Sequence, residues 1–175
     1  MKNLNLDMYK NIYNDRSIAT LETIKSNRIN VKIYKKEGIK ELPKYETTGS
    51  AGIDLKPFID GTESIEPGET KLIPTGLFLE IPEGFEIQIR SRSGLALRSG
   101  IVVKNSPGTI DSDYRGEIKV MLYNTSNTPY FYDNNTRIAQ AVLSPIFQIQ
   151  WDKIEKFSDL EHSERGSGGF GSTGV

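Results

Sequence analysis

Phe85-Glu86-Ile87-Gln88-Ile89-Arg90 alternates apolar and polar side chains through six positions. In an extended chain, successive side chains point to opposite faces. Phe85, Ile87 and Ile89 then form an apolar face, and Glu86, Gln88 and Arg90 a polar one, as in a strand with one side in a core. Pro82-Glu83-Gly84, just upstream, is a tight turn. The period of two recurs outward from this run. Val31 and Ile33 alternate with Lys32 and Tyr34, and Ile118, Val120 and Leu122 alternate further on. Leu72-Ile73 and Leu77-Phe78-Leu79 read as two strand pieces around Pro74-Thr75-Gly76, and Arg137 to Phe147 as a last apolar strand. Residues 38–49 read as a loop. Pro57, Gly61, Pro67, Gly68 and Asp133-Asn134-Asn135 mark further breaks. Many short strands separated by Gly/Pro turns predict an all-β sandwich or barrel.

The remaining ends of the chain are different. Residues 1–29 read as an N-terminal arm, helical or disordered; Met8, Ile12, Leu21 and Ile24 hint at helical spacing behind a Ser17 cap. Residues 30–164 are the β domain, with the polar run Trp151–Glu164 draped over its surface. Residues 165–175 are a glycine-rich tail. At 175 residues the chain is one domain with room for a real core.

Composition excludes several chemistries. The 22 Lys+Arg and 23 Asp+Glu residues leave a net charge of −1, so no global basic field invites a nucleic-acid duplex. There is no cysteine, hence no disulfide and no thiol nucleophile. The single histidine, His162, excludes a histidine metal cluster. Carboxylates must therefore carry any acid–base chemistry. No apolar run approaches a membrane span, and residues 1–15 are too polar for a signal peptide. These features predict a soluble intracellular protein.

Five polar constellations interrupt the apolar pattern: Ala51–Leu55, Arg92–Ala96, Gly108–Gly116, Arg137–Gln140 and Arg165–Gly174. Each alone has an ordinary alternative. Asp54 could be a turn or capping carboxylate, Arg92-Ser93-Gly94 a strand end, and 108–116 a hairpin with a polar tip. If 108–116 is extended, Asp111 and Asp113 share one face. Phe170 is unusual in a glycine-rich linker, since linkers seldom keep an aromatic residue.

Taken together, the five resemble, in order and spacing, the five motifs of the trimeric dUTP pyrophosphatases (dUTPases). Ala51-Gly-Ile-Asp-Leu55, Arg92-Ser-Gly94, Gly108-Thr-Ile-Asp-Ser-Asp-Tyr-Arg-Gly116, Arg137-Ile-Ala-Gln140 and Arg165-Gly-Ser-Gly-Gly-Phe-Gly-Ser-Thr-Gly174 carry the likeness, which spans about residues 30–174. Ser91 stands where the family often has proline, and Ser163 where it often has threonine. The resemblance implies a jelly-roll-like β-sandwich or barrel of the dUTPase β-clip type. It implies hydrolysis of dUTP to dUMP and pyrophosphate by water attacking the α-phosphate. That reaction keeps uracil out of DNA and supplies dUMP for thymidylate synthesis. It also implies a homotrimer with shared active sites, the segment after Pro145 reaching a neighbour.

On this reading the catalytic residues are Asp111, Arg92, Gln140 and Asp54. Asp111 orients and deprotonates the water; Asp113 and Arg115 stabilise the hairpin or a subunit contact. Arg92, Ser93, Gly94, Gln140, Arg165, Gly169, Gly171, Ser172 and Thr173 grip the phosphates, since arginines, hydroxyls and backbone N–H groups stabilise developing phosphate charge. Asn105, with Gly108, Thr109 and Ile110, reads the uracil edge, because an amide offers both donor and acceptor. Tyr114 packs under the deoxyribose, and Phe170 stacks over the base as the tail closes. Mg²⁺ is held mainly by substrate phosphates and water rather than by a protein cage, with Asp54 an outer support; direct ligation by Asp111 and Asp113 is the second reading.

The related dCTP deaminases need a glutamate in the strand after the hairpin. Met121 occupies that position here. A non-catalytic regulator on the same scaffold is the other rival. Residues 1–27 could bind a regulatory protein partner in either case.

Overall fold

The computed structural model describes residues 28–169. The expected arm at 1–27 and tail positions 170–175, with Phe170, Gly171, Ser172 and Thr173, lie outside the described residues. Ten strands, one α-helix and a short 3-10 turn at Phe157–Asp159 are present among the described residues: β1 (Lys32–Lys35), β2 (Ile53–Leu55), β3 (Glu63–Ile65), β4 (Thr70–Glu80), β5 (Phe85–Arg90), α1 (Ser93–Ser99), β6 (Ile101–Val103), β7 (Gly108–Ile110), β8 (Glu117–Asn124), β9 (Tyr130–Tyr132) and β10 (Ala139–Pro145). The fold is all-β. Two four-stranded sheets have the orders β1-β4-β8-β6 and β2-β10-β5-β7, and β3 pairs with β9 in a ribbon. Every pairing is antiparallel.

One core joins all three sheets. Phe85, Ile87 and Ile89 of β5 are buried, as the alternation predicts, beside Ala139 and Ala141 of β10. Ile73, Ile118, Val120, Leu122, Ile101 and Val103 come from the opposite sheet, and Ile65 and Tyr132 from the ribbon. Burying a side chain of this size contributes about 1.5–3 kcal/mol, and this shared apolar layer holds the sheets together.

Two departures from the sequence reading have local causes. The two expected strand pieces at 72–79 are a single strand, β4, with an irregularity between Pro74 and Phe78. Gly76 turns there with φ 67°. Its N–H donates to Glu117 Oε1 at 2.8 Å, and Lys36 Nζ donates to Glu117 Oε2 at 2.9 Å. Burial pushes the Glu117 carboxyl up, but these two hydrogen bonds outweigh it and hold the group below its ordinary value. The carboxylate thus does what a ladder partner would do across the bulge.

The second departure is α1. Arg92-Ser93-Gly94 is not a strand end but the entry to a seven-residue helix. Gly100, at φ 64°, ends it by donating to Ala96 O at 3.0 Å. Leu95 alone is buried from it, too little apolar periodicity to read as a helix beforehand.

Candidate active site

The strand order places the first, second and fourth constellations together. β10 lies between β2 and β5, so Gln140 pairs with Asp54 on one side and Arg90 on the other. Arg92, two residues past the end of β5, reaches across β10 to Asp54. Its Nε donates to Oδ1 at 2.7 Å and its Nη2 to Oδ2 at 3.4 Å. Its Nη1 also donates to Arg137 O at 3.1 Å. Arg137 Nη1 sits 3.2 Å from Asp54 Oδ2 and 3.8 Å from Glu46. Asp54 is therefore neither a turn nor a capping carboxylate: it orients two guanidinium groups, one by a two-point contact. Gln140 Nε2 donates to Ser91 O at 2.9 Å. A Cβ at Gly52 would come within 2.5 Å of Gln140 Oε1, so glycine is required at 52 for this amide to lie where it does. Arg137, Ser91 and Gly52 are site residues that reading the motifs one by one did not single out.

The third constellation lies on the opposite edge of the sheet. β7 pairs with β5 through Ile89↔Gly108 and Ile87↔Ile110. The strand stops at Ile110. Residues 111–114 form a turn closed by Tyr114 N–H to Asp111 O at 3.2 Å, so Asp111 and Asp113 do not share a strand face. Among the described residues the Asp111 carboxylate has no hydrogen bond or ion pair, and it is exposed. Arg115 Nη1 donates to Ser112 O and Tyr114 O, which holds the turn as expected of that residue. Tyr114 donates to Glu117 O at 3.1 Å, its ring folded over Gly116 where a Cβ would overlap it. The hairpin expected over 103–114 is instead a crossover, because β6 pairs with β8 in one sheet and β7 with β5 in the other. Asn105 tops the loop between them with its amide against Gly108, where a Cβ would lie 3.0 Å from Nδ2.

From β2 to β7 is three interstrand spacings, about 14 Å. One protomer therefore does not bring Asp111 to Asp54, and Asp111, beyond the Ile87↔Ile110 pair, lies toward the start of β5 while Arg92 lies past its end. Arg165 is also apart from them. Its Nε donates to Gly168 O at 2.8 Å, and no hydrogen bond or ion pair among the described residues joins 165–169 to the cluster. A cavity of about 600 Å³ opens beside Asp54 and Arg137 under the 38–46 loop. Arg92 and Gln140 do not line it, so it is not the phosphate site by itself.

No three His, Cys, Asp or Glu side chains gather into a metal-holding group among the described residues. Both Asp54 oxygens face guanidinium groups. This donor set fits a cation held by phosphates and water better than one held by the protein.

The fold and site define an all-β protein whose pre-ordered arginine–carboxylate cluster suits an anionic ligand. The dUTPase family model matches residues 39–174, and the chain belongs to that family. A Fusobacterium nucleatum deoxyuridine 5'-triphosphate nucleotidohydrolase is 50% identical over 147 residues, covering 84% of this chain and 98% of that protein. The enzyme of the same name from Wolbachia of Brugia malayi is 51% identical over 153 residues, covering 86% and 97%. A mutant dUTPase of Staphylococcus bacteriophage 80alpha, solved with dUpNHpp, superposes with a TM-score of 0.72 at 25% identity, covering 83% of this chain and 99% of that one. The reaction is hydrolysis of dUTP to dUMP and pyrophosphate.

Among the described residues no helix is long and apolar enough to cross a membrane.

Proposed function

We propose that the catalytic unit is a homotrimer in which the Asp54–Arg92–Gln140 cluster of one protomer meets the Asn105–Tyr114 segment of another. The observation that carries this is the separation of the two halves across one sheet, with the Asp111 carboxylate left open. A second observation favours it. After β10 the chain leaves the body with Phe147, Ile149 and Trp151 at alternate positions, 63, 72 and 83% exposed. Such an extended apolar stripe is a liability unless a neighbour covers it.

In this unit Arg92, Ser93 and Gly94 hold the phosphates, with Arg137 and Asp54 fixing the Arg92 guanidinium. Gln140 orients a phosphate oxygen or the water. Asp111 accepts the water's proton as its oxygen attacks the α-phosphorus, and pyrophosphate departs against the arginines. Asn105 and the Gly108–Ile110 backbone read the uracil edge, and Tyr114 supports the deoxyribose. Arg165, Gly169, Phe170, Gly171, Ser172 and Thr173 close over the nucleotide and exclude water. Mg²⁺ bound to the triphosphate supplies charge neutralisation, with Asp54 behind it. A structural Mg(II) ion is named for a phage phi11 relative, which is 22% identical and supports the fold alone. An intracellular place suits this substrate, and residues 1–27 would serve a regulatory protein partner.

Hydrolysis of dUTP with Mg²⁺ in ¹⁸O-water tests the direction of attack. The label should enter dUMP. Label in pyrophosphate alone would place the attack elsewhere. Parallel runs with dTTP, dCTP and UTP should show dUTP strongly preferred and no ammonia from dCTP.

A further inference from the structure

The geometry points to Ser91 as a positioning residue that sets base selectivity through the root of the Asn105 loop. The proposal rests on the reading of that loop as the base-selecting element. Proline, often found at this place in the family, has no side-chain hydroxyl; Ser91 has one, and it is engaged. Its Oγ accepts the Val103 N–H at 2.8 Å. Val103 is the last residue of β6 and is buried, so leaving its N–H unpaired is costly. The Val103 carbonyl in turn accepts the Ser106 N–H at 3.2 Å, closing the turn that displays Asn105. On its far side Lys104 N–H donates to Met121 O at 2.8 Å. The loop root is thus pinned at three backbone groups, one of them held by the Ser91 side chain.

The same residue faces the phosphate cluster through its backbone. Its carbonyl accepts Gln140 Nε2, and its chain neighbour is Arg92, bound to Asp54. A side-chain change at 91 leaves that carbonyl in place and removes only the tie to Val103. The two functions of Ser91 can therefore be separated by mutation, which a purely structural residue would not allow. Loss of the hydroxyl leaves a buried N–H unpaired and lets the turn shift relative to Gly108. A misplaced Asn105 amide weakens the uracil contact more than it disturbs phosphate chemistry.

The test uses the full chain and compares Ser91→Ala, Ser91→Cys, Ser91→Thr and Asn105→Ala, measuring kcat and KM for dUTP and dTTP. Cysteine keeps the shape with a weak acceptor, and provides the reading should the alanine variant not fold. Ser91→Ala and Ser91→Cys should lower the dUTP-over-dTTP ratio of kcat/KM by roughly three- to tenfold, the range one ordinary hydrogen bond carries, chiefly through KM for dUTP. Ser91→Thr should retain most of the selectivity. Should Asn105→Ala shift the ratio while neither Ser91→Ala nor Ser91→Cys does, the inference fails and the reading of the Asn105 loop stands. Should no variant shift it, both fail. A loss confined to kcat with the ratio unchanged would assign Ser91 to Gln140 support and also overturn the inference.

Discussion

Two parts of the β2-β10-β5-β7 sheet are built in opposite ways. Across β2, β10 and the end of β5, Asp54, Arg92, Arg137, Ser91 and Gln140 are tied to one another by hydrogen bonds and ion pairs. At the β7 edge, Asn105 and Asp111 stand exposed, and the side chain of Asp111 has no partner among the described residues. A group that must bind a rigid, highly charged part of a substrate gains from being held in advance, because little is then lost in ordering it. A carboxylate that must take a proton gains from having its oxygens free. The contrast fits a site divided between copies, each protomer contributing one finished half and one open half.

The sharpest attempt to break this contrast is a mixing experiment. Asp111→Asn and Arg92→Ala should each lower kcat by on the order of 10²–10⁴ when assembled alone. Co-refolded in equal amounts, they should regain activity at roughly a quarter of the sites, since random assortment pairs an intact half with an intact half that often. A mixture as inactive as its components would place both residues in one protomer's site. Next in size is removal of residues 165–175, expected to reduce turnover about 100-fold with the assembled mass, measured by light scattering, unaffected. A truncated enzyme with full turnover would remove the tail from the site.

Asp54→Asn should sharpen the comparison from the ordered side. Freed from their carboxylate, Arg92 and Arg137 lose their fixed geometry, and KM for dUTP should rise about tenfold; an unchanged KM would mean the guanidinium is placed by other contacts. The smallest effect lies away from both parts. Glu117→Gln should lower stability by about 1–2 kcal/mol near neutral pH, read by thermal unfolding, with activity at 25 °C intact. The folded carboxyl titrates below its unfolded value, so its contribution is present above the unfolded pKa and is lost as pH falls through the folded one. Wild type and variant should therefore converge in acid. A gap that persisted there would point to packing, not charge.

Much of this was legible in order along the chain. Alternation at 85–90 and 118–122 marks strands because burial on one face leaves a period of two; at 31–34 the strand forms, but Ile33 stays exposed. The five constellations carry the family likeness because their joint order and spacing are specific where each alone is not. Less legible were α1, where only Leu95 is buried, and the continuity of β4, where a proline and a glycine sit in a bulge that Glu117 stabilises from another strand.

By itself, then, the sequence determined the fold class, the chemistry on offer and the family. Only the tertiary structure decided which groups meet. It put β10 between β2 and β5, bringing Asp54 to an arginine 38 residues away and another 83 away, and it sent Asp111 to the far edge. Local patterning reports which face of a segment is buried. Strand order and register depend on how all the buried faces pack at once, and no short stretch holds that information.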